Sequence, residues 1–347
     1  MNRFLIVRLG ALGDIVHAIP VAAALRRAWP DARIDWVVSA KHREILDLVP
    51  VLTTRIVVSD RGGAKNGLSL PSAMRAIRHE QYDVVLDLQG LMKSAVIARG
   101  AGAPRVIGFA AKYLREPLAR ALYTEQYDPG GEGIYASSET RHVVEINLGM
   151  VRALGVEPGP PEFPFVVRRS EPAEAMRQAT HGRYALLNPG AAWPNKRWPP
   201  DRLAAVARAL RERQGLMSVV LWGPGEREIA DAVVALAAGA AVLSPPTRIG
   251  DILELARAAA VMVSGDTGPT HIGAAVGTPI VGIYGPTRPE RNGPWVPEDI
   301  TVSRAGVCEC HHLRRCRAAH WCLLDIGEDE VLAAVERRLA SSRVSHG

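Results

Sequence analysis

The sequence predicts an α/β protein built from two doubly wound parallel sheets. Three observations support this. Short apolar runs without helical period alternate with helical stretches along most of the chain. Glycine-bearing turns follow many of those runs. The length of 347 residues exceeds what one ordinary core organises, so two domains are the natural division.

The first run, RFLIVRL, reads as a buried parallel strand, because an apolar run of that length with no polar alternation has both faces covered. GALGD is a tight turn, and IVHAIPVAAALRRAWP is a helix that Pro20 kinks or divides after a short first turn. RIDWVVS, YDVVLDLQG and RVIGFA are further strands. YDPGGEGIYASSET is loop, HVVEINLGMVRALG is helix, and the proline-rich VEPGPPEFPFVVRRSEP cannot be one. A domain boundary is expected between residues 156 and 180.

Alternation then resumes. YALLNPG, MSVVLWGPG, AVLSPPT, VMVSGD and IVGIYGPT each read as a strand running into a turn. Between them lie the helices PPDRLAAVARALRERQG, EREIADAVVALAA and IGDILELARAAA, and a glycine-capped Ala-rich segment. EDEVLAAVERRLASS closes the chain as an amphipathic helix. No repeat relates the halves in sequence. Sheets of this kind bind ligands at the carboxyl ends of their strands, so the expected site is a cleft onto which both halves present their loops.

Composition narrows the class. The apolar and charged content is that of a soluble globular protein, and no apolar run approaches the ~18 residues of a membrane span. The start lacks the features of a secretory signal, so a cytoplasmic protein is expected. The net charge of +6 suggests an acidic partner: nucleic acid, anionic lipid or phosphorylated substrate. The four cysteines, Cys308, Cys310, Cys316 and Cys322, fall in one short segment with His311, His312 and His320. Such a set reads as a metal or redox-labile site or as plain thiols; their spacing is no standard zinc pattern, and thiols that stiffen a loop without metal are expected.

The loops carry the chemistry. In SGDTGPTHIGAAVGTP, Thr267 or Gly268 caps a helix, Pro269 occupies its first position and His271 its first turn, beside Asp266. Unpaired N–H groups and the positive helix end there suit a phosphate or diphosphate; an ordinary capped helix has the same residues. Lys196 and Arg197 follow a second strand-end glycine turn and place cations within reach of the same anion, or form a solvated basic loop. Glu226 follows a third such turn, where a carboxylate accepts the hydroxyls of a ribose or merely favours the helix dipole. Asp14 follows the first glycine turn and is either a helix-end residue or a general base. Arg61, Lys65, Lys93, Lys112, Arg115 and Arg120 are cations for an acidic acceptor, or scattered solubilising charge. No Asp-x-Asp pair suggests a metal-held diphosphate, and no dinucleotide or Walker motif is present.

These loops together resemble the family 9 glycosyltransferases, the bacterial lipopolysaccharide heptosyltransferases. FLIVRLGALGDIVHAIPVAAALRRAWPDARIDWVV, YDVVLDLQGLMKSAVIAR, YLREPLARALY and GDTGPTHIGAAVGTPIVGIYGPT carry the resemblance over most of the chain. It implies a GT-B fold of two Rossmann-like domains, an acceptor-binding 1–165 and a donor-binding 166–325, with a helix at 326–347 returning to the first. It implies an inverting transfer of L-glycero-D-manno-heptose from ADP-heptose to a Kdo-lipid A type acceptor. It also implies peripheral contact with the cytoplasmic face of the inner membrane, no cofactor, no metal and no nucleic acid.

Carried over by position, Asp14 matches the base, and Lys196 a lysine near the donor phosphate and heptose. Glu226, with Glu228 as the alternative, matches the ribose-binding glutamate, and Thr247 an adenine-pocket position. Asp266 matches a heptose-binding aspartate, and Thr267, Gly268 and His271 a diphosphate cradle. Arg61, Lys93, Arg115 and Arg120 fall on the acceptor side. Ala191 and Ala192 stand where some members have hydroxyl residues. LQGLMKSA and REPLA are more similar to heptosyltransferase I, and the cysteine segment to type II-like members. Type I is the expectation, and an epimerase of the same fold or a silent binding module are the rivals.

Overall fold

The computed structural model describes residues 2–59, 67–136, 138–166, 169–308 and 318–344, with Cys310, Leu313, Arg314 and Cys316. The chain divides into two compact units, Met1–Val166 and Val167–Gly347.

The first unit contains strands β1 (Arg3–Val7), β2 (Arg33–Ser39), β3 (Thr54–Val58), β4 (Val84–Asp87), β5 (Arg105–Phe109) and β6 (Glu125–Tyr127). Its helices are α1 (Leu12–Val16), α2 (Ile19–Ala28), α3 (Arg43–Asp47), α4 (Leu70–His79), α5 (Met92–Gly100) and α6 (Val143–Gly149). The strands pair in parallel in the order β3-β2-β1-β4-β5-β6. β1 lies in the middle, with Val7 in register with Val37 on one side and Asp87 on the other. Phe4, Leu5, Ile6 and Val7 are wholly buried, which is why the run shows no polar alternation.

The apolar stretch after β1 breaks after Val16, and Pro20 stands in the first turn of α2, where its missing N–H leaves no gap. That helix buries Ile19 to Leu25 and ends at Trp29, just before Pro30. Within β5, Gly108 admits the ring of Tyr123, which lies 2.1 Å from where a Cβ would stand.

The second unit contains β7 (Tyr184–Asn188), β8 (Met217–Val220), β9 (Ala241–Leu243), β10 (Val261–Gly265), β11 (Ile280–Tyr284) and β12 (Ile300–Ser303). Its helices are α7 (Glu171–Ala179), α8 (Pro200–Gln214), α9 (Arg227–Leu236), α10 (Ile249–Ala258), α11 (Gly268–Ala275), α12 (Pro289–Asn292) and α13 (Glu328–Val344). The sheet is again all parallel, in the order β12-β11-β10-β7-β8-β9. Counted from its own first strand this is the same order as in the first unit, the doubly wound order of dinucleotide-type folds.

One face of the second sheet packs on α8, α9 and α13 through residues such as Leu203, Leu210, Val233 and Val335; the other packs on α7 and α10 through Met176, Leu255 and Met262. The terminal helix packs within the second unit. Val331, Val335 and Leu339 of α13 are buried in the second unit's core, and Arg338 donates to Asp299 Oδ1 at 2.8 Å. The helix is therefore part of the second unit's core. Its apolar stripe meets β10 to β12, and burial there holds it.

Candidate active site

In a doubly wound sheet the crevice opens where the strand order reverses. In the second unit that point lies between β7 and β10, so the loops after Asn188 and Gly265 must meet. They do. Lys196, in a short 3-10 helix Pro194–Lys196, extends its ammonium to Asp266 Oδ2 at 2.5 Å. His271, one turn into α11, holds Asp266 Oδ1 through Nε2 at 3.0 Å. The Lys196 ammonium also lies 4.5 Å from the centre of the Trp193 ring. Asp266 is 6 % exposed and Lys196 14 %.

Thr267 is the N-cap of α11, Gly268 its first residue, and Pro269 occupies the first turn. The first-turn N–H groups of a helix have no intrahelical partner, so this end attracts negative charge. Thr267 Oγ1 accepts from Asn188 Nδ2 at 2.9 Å, and Thr270 Oγ1 donates to the Gly265 carbonyl at 2.6 Å, which fixes the entry of the chain into the helix. Asn188 also donates to Ser264 Oγ at 3.0 Å. Ser264 and Thr270 stand in the glycine-rich stretch and Asn188 and Trp193 near the second strand-end turn, but the contacts of all four appear only when β7 and β10 lie side by side.

Burial pushes the Asp266 carboxyl up. The His271 hydrogen bond and the Lys196 charge outweigh it and hold the group well below the usual carboxylate range. Asp266 is thus an anion that keeps a lysine cation in a fixed place at a helix start.

Glu226 caps the N-terminus of α9, and its Oε2 accepts from the Gly223 N–H at 3.1 Å. The carboxylate lies against Gly190, 2.1 Å from where a Cβ would stand. The loops after β7 and β8 therefore touch at this carboxylate, beside the turn that leads to Lys196. Glu228, the alternative, is exposed in the first turn of α9. Thr247 is half-buried between β9 and α10. No hydrogen bond between described residues joins its side chain to Lys196, Glu226 or Asp266.

In the first unit the reversal lies between β1 and β4. Asp14, in the first turn of α1, accepts from the Ala11 N–H at 3.2 Å and pairs with the Arg8 guanidinium at 2.8 Å. Its side chain is 35 % exposed, that of Arg8 13 %. Arg8 donates as well to the Leu88 carbonyl, and Leu9 N–H to Gln89 Oε1 at 2.6 Å, so the loops after β1 and β4 are tied together. The fully buried Asp87 organises the second loop by accepting from Gln89 N–H, Ser94 Oγ and Tyr123 OH at 2.8–2.9 Å. Burial raises the Asp87 carboxyl above its ordinary value against those four donors, Gly90 N–H included. Sequence reasoning misses Arg8 and Asp87: both stand in segments that carry the family resemblance, but their partners are set by the fold, Arg8 meeting the Leu88 carbonyl 80 residues away.

Of the four residues expected on the acceptor side, Arg61 lies outside the described residues, as does Lys65. Lys93 is exposed at the start of α5, and Arg115 and Arg120 are exposed around the 3-10 helix Pro117–Leu122. Lys112 pairs with Asp128 at 2.9 Å. The cysteines lie in the second unit: Cys310 Sγ is 2.6 Å from Cys316 Sγ, and Cys322 bonds Cys308. Burial, then that hydrogen bond, push the Cys322 thiol up to about 12, so it is protonated at neutral pH. His311 and His312 lie outside the described residues. Among the described residues no group of three or more His, Cys, Asp or Glu is placed to hold a metal ion.

The family model for glycosyltransferase family 9 (heptosyltransferase) matches residues 71–322. The chain is 31 % identical to lipopolysaccharide heptosyltransferase 1 of Pseudomonas aeruginosa, over 88 % of this chain and 85 % of the relative. Among solved structures, a family 9 glycosyltransferase from Veillonella parvula superposes with a TM-score of 0.80 at 23 % identity, covering 98 % of each chain. The E. coli heptosyltransferase WaaC with ADP gives 0.73 at 23 % identity, covering 97 % of this chain and 98 % of that one. These structural likenesses establish the GT-B fold.

Proposed function

Because the chain belongs to glycosyltransferase family 9, and is therefore an enzyme, we propose that it moves L-glycero-D-manno-heptose from ADP-heptose to the Kdo region of a Kdo-lipid A type acceptor, with inversion. The single observation that carries the donor half is the Asp266–Lys196–His271 cluster at the start of α11. The similarly folded WaaC was solved with ADP, and a diphosphate is the anion this cluster suits.

In this reading the roles divide between the units. Thr267 and Gly268 present the helix start to the diphosphate, and Lys196 neutralises it. His271 keeps Asp266 oriented toward the sugar. Glu226 accepts the ribose hydroxyls, and Thr247 borders the adenine. Asp14 removes the proton from the acceptor hydroxyl as that oxygen forms a bond to the anomeric carbon. The bond from that carbon to the diphosphate oxygen breaks on the opposite face, and ADP departs with the electron pair. Lys196 and the helix end offset its growing charge. Arg8 pairs with Asp14 and holds its carboxylate in place. Arg61, Lys93, Arg115 and Arg120 receive the acidic acceptor, and the type I acceptor is favoured by the LQGLMKSA and REPLA segments.

The test is incubation with ADP-heptose and a truncated Kdo acceptor, followed by mass spectrometry. Gain of one heptose with release of ADP is the expected result. Release of ADP without heptosylated product, or conversion of the donor without an acceptor, refutes the assignment.

A further inference from the structure

The turn that carries Lys196 is anchored from behind by the cysteine segment. Of the 3-10 helix Pro194–Lys196 only Asn195 is buried, at 3 % exposure. Its Nδ2 donates to the Leu313 carbonyl at 3.0 Å, across 118 residues of chain. Its Oδ1 is buried and meets no partner among the described residues. A buried amide oxygen without a donor costs stability, and an apolar side chain of the same size would avoid that cost. On the other side, the Lys196 carbonyl lies 2.9 Å from where a Cβ of Gly265 would stand, so the turn rests on the end of β10, one residue before Asp266. Leu313 is held as well. Its N–H donates to the Cys310 carbonyl at 3.1 Å, and Cys310 Sγ lies 2.6 Å from Cys316 Sγ. Beyond the turn, Trp198 Nε1 donates to the Ile326 carbonyl at 3.1 Å and Arg202 to the Leu324 carbonyl at 2.7 Å, so the chain after Cys322 holds the start of α8 too.

We propose that Asn195 is a positioning residue for Lys196, and that the Cys310 and Cys316 thiols act on the donor site through Leu313 and this hydrogen bond. An ammonium on a flexible four-carbon stem is placed only when both ends of the stem are held. Asp266 and the Trp193 ring hold the charged end. The Asn195–Leu313 bond holds the backbone end. Fixing both in advance removes an ordering cost that a diphosphate would otherwise meet on binding. The inference rests on the proposed role of Lys196 at the donor diphosphate, and it gives the thiols a task in that role.

The test is calorimetric titration of the full chain with ADP, arranged as two double-mutant cycles. Asn195→Ala should weaken ADP binding about tenfold, the value of one buried hydrogen bond. In a Lys196→Ala background the same change should cost nothing further, because Asn195 acts only through the lysine. An asparagine that merely supports the fold weakens both backgrounds alike. Cys316→Ala should weaken ADP binding roughly twofold to fivefold in the wild type and add nothing to Asn195→Ala. Native ADP affinity in Asn195→Ala, or equal losses with and without Lys196, overturns the positioning role. Native affinity in Cys316→Ala, or a loss that adds in full to that of Asn195→Ala, overturns the part given to the thiols. If Asn195→Ala does not fold, Cys316→Ala decides: a loss that persists undiminished in the Lys196→Ala background refutes any action through the lysine. If Lys196→Ala alone binds ADP as the wild type does, the donor role of Lys196 fails, and this inference falls with it.

Discussion

Asp266→Asn preserves shape and removes one charge from the centre of the Lys196–Asp266–His271 cluster. The native carboxylate is buried and accepts from Lys196 at 2.5 Å and His271 at 3.0 Å. Deleting one partner of a buried pair costs about 3–5 kcal/mol, because the other charge is left unpaired. The lower end applies here. The abandoned ammonium is 14 % exposed and keeps the Trp193 ring at 4.5 Å, so water and the ring offset part of the loss. At roughly 2–4 °C per kcal/mol for a domain of this size, about 3 kcal/mol lowers the melting temperature by about 6–12 °C. Differential scanning calorimetry of both proteins reads this directly. The pH dependence has a fixed sign. The folded carboxyl lies below its unfolded value, so its contribution is complete above the unfolded pKa of about 4 and is lost as pH falls through the folded value. The gap between the wild type and the variant should therefore hold steady near neutrality and narrow only in strong acid. A variant melting within about 2 °C of the wild type near neutral pH, or a gap that widens in acid, refutes a buried, ion-paired Asp266.

Other expectations follow from the same geometry. Asp14→Asn should lower turnover by roughly 10²–10⁴-fold with ADP affinity unchanged; near-normal turnover removes Asp14 as the base. Gly190→Ala drives a methyl into the Glu226 carboxylate, so it should weaken ADP binding roughly tenfold or more while leaving the melting temperature almost unmoved; calorimetric titration showing native affinity argues that Glu226 does not touch the ribose. If, as proposed, Lys196 and the α11 terminus meet the leaving group, transfer should persist in excess chelator, and elemental analysis of chelator-free preparations should find less than an equivalent of zinc. Stoichiometric zinc, lost with stability when Cys310, Cys316 and Cys322 become serine, shows the thiols to be a metal site.

Legibility in the sequence follows burial. Strands such as Arg3–Val7 and Ile280–Tyr284 are buried almost throughout and read as apolar runs. β3, β6 and β12 lie at or near sheet edges, where TRIVV, EQY and ITVS leave side chains partly in water and carry no comparable signal. α4 is hard to recognise because only Ala73 and Ile77 of it are buried, and α7 because it follows a proline-rich approach. In the site, Asp266, Thr267, Gly268 and His271 share one stretch and are legible together. Lys196 meets Asp266 across 70 residues, and Arg8 meets the Leu88 carbonyl across 80. Such partners are set by which strands neighbour each other, and a local pattern does not report that.

That topology has a consequence for synthesis. β1 pairs with β2 and with β4, and the loop behind it is tied to Gln89, 80 residues downstream. At the ~5–20 residues per second of translation, the first strand waits roughly 4–16 s before its second neighbour is made. During that interval Phe4, Leu5, Ile6 and Val7 present an open apolar edge to solvent or to the ribosome surface. The nascent first half is therefore the stage at which a holding chaperone would act. Synonymous codons that slow elongation between β2 and β4 should lower the soluble yield more than the same pauses placed after Val166.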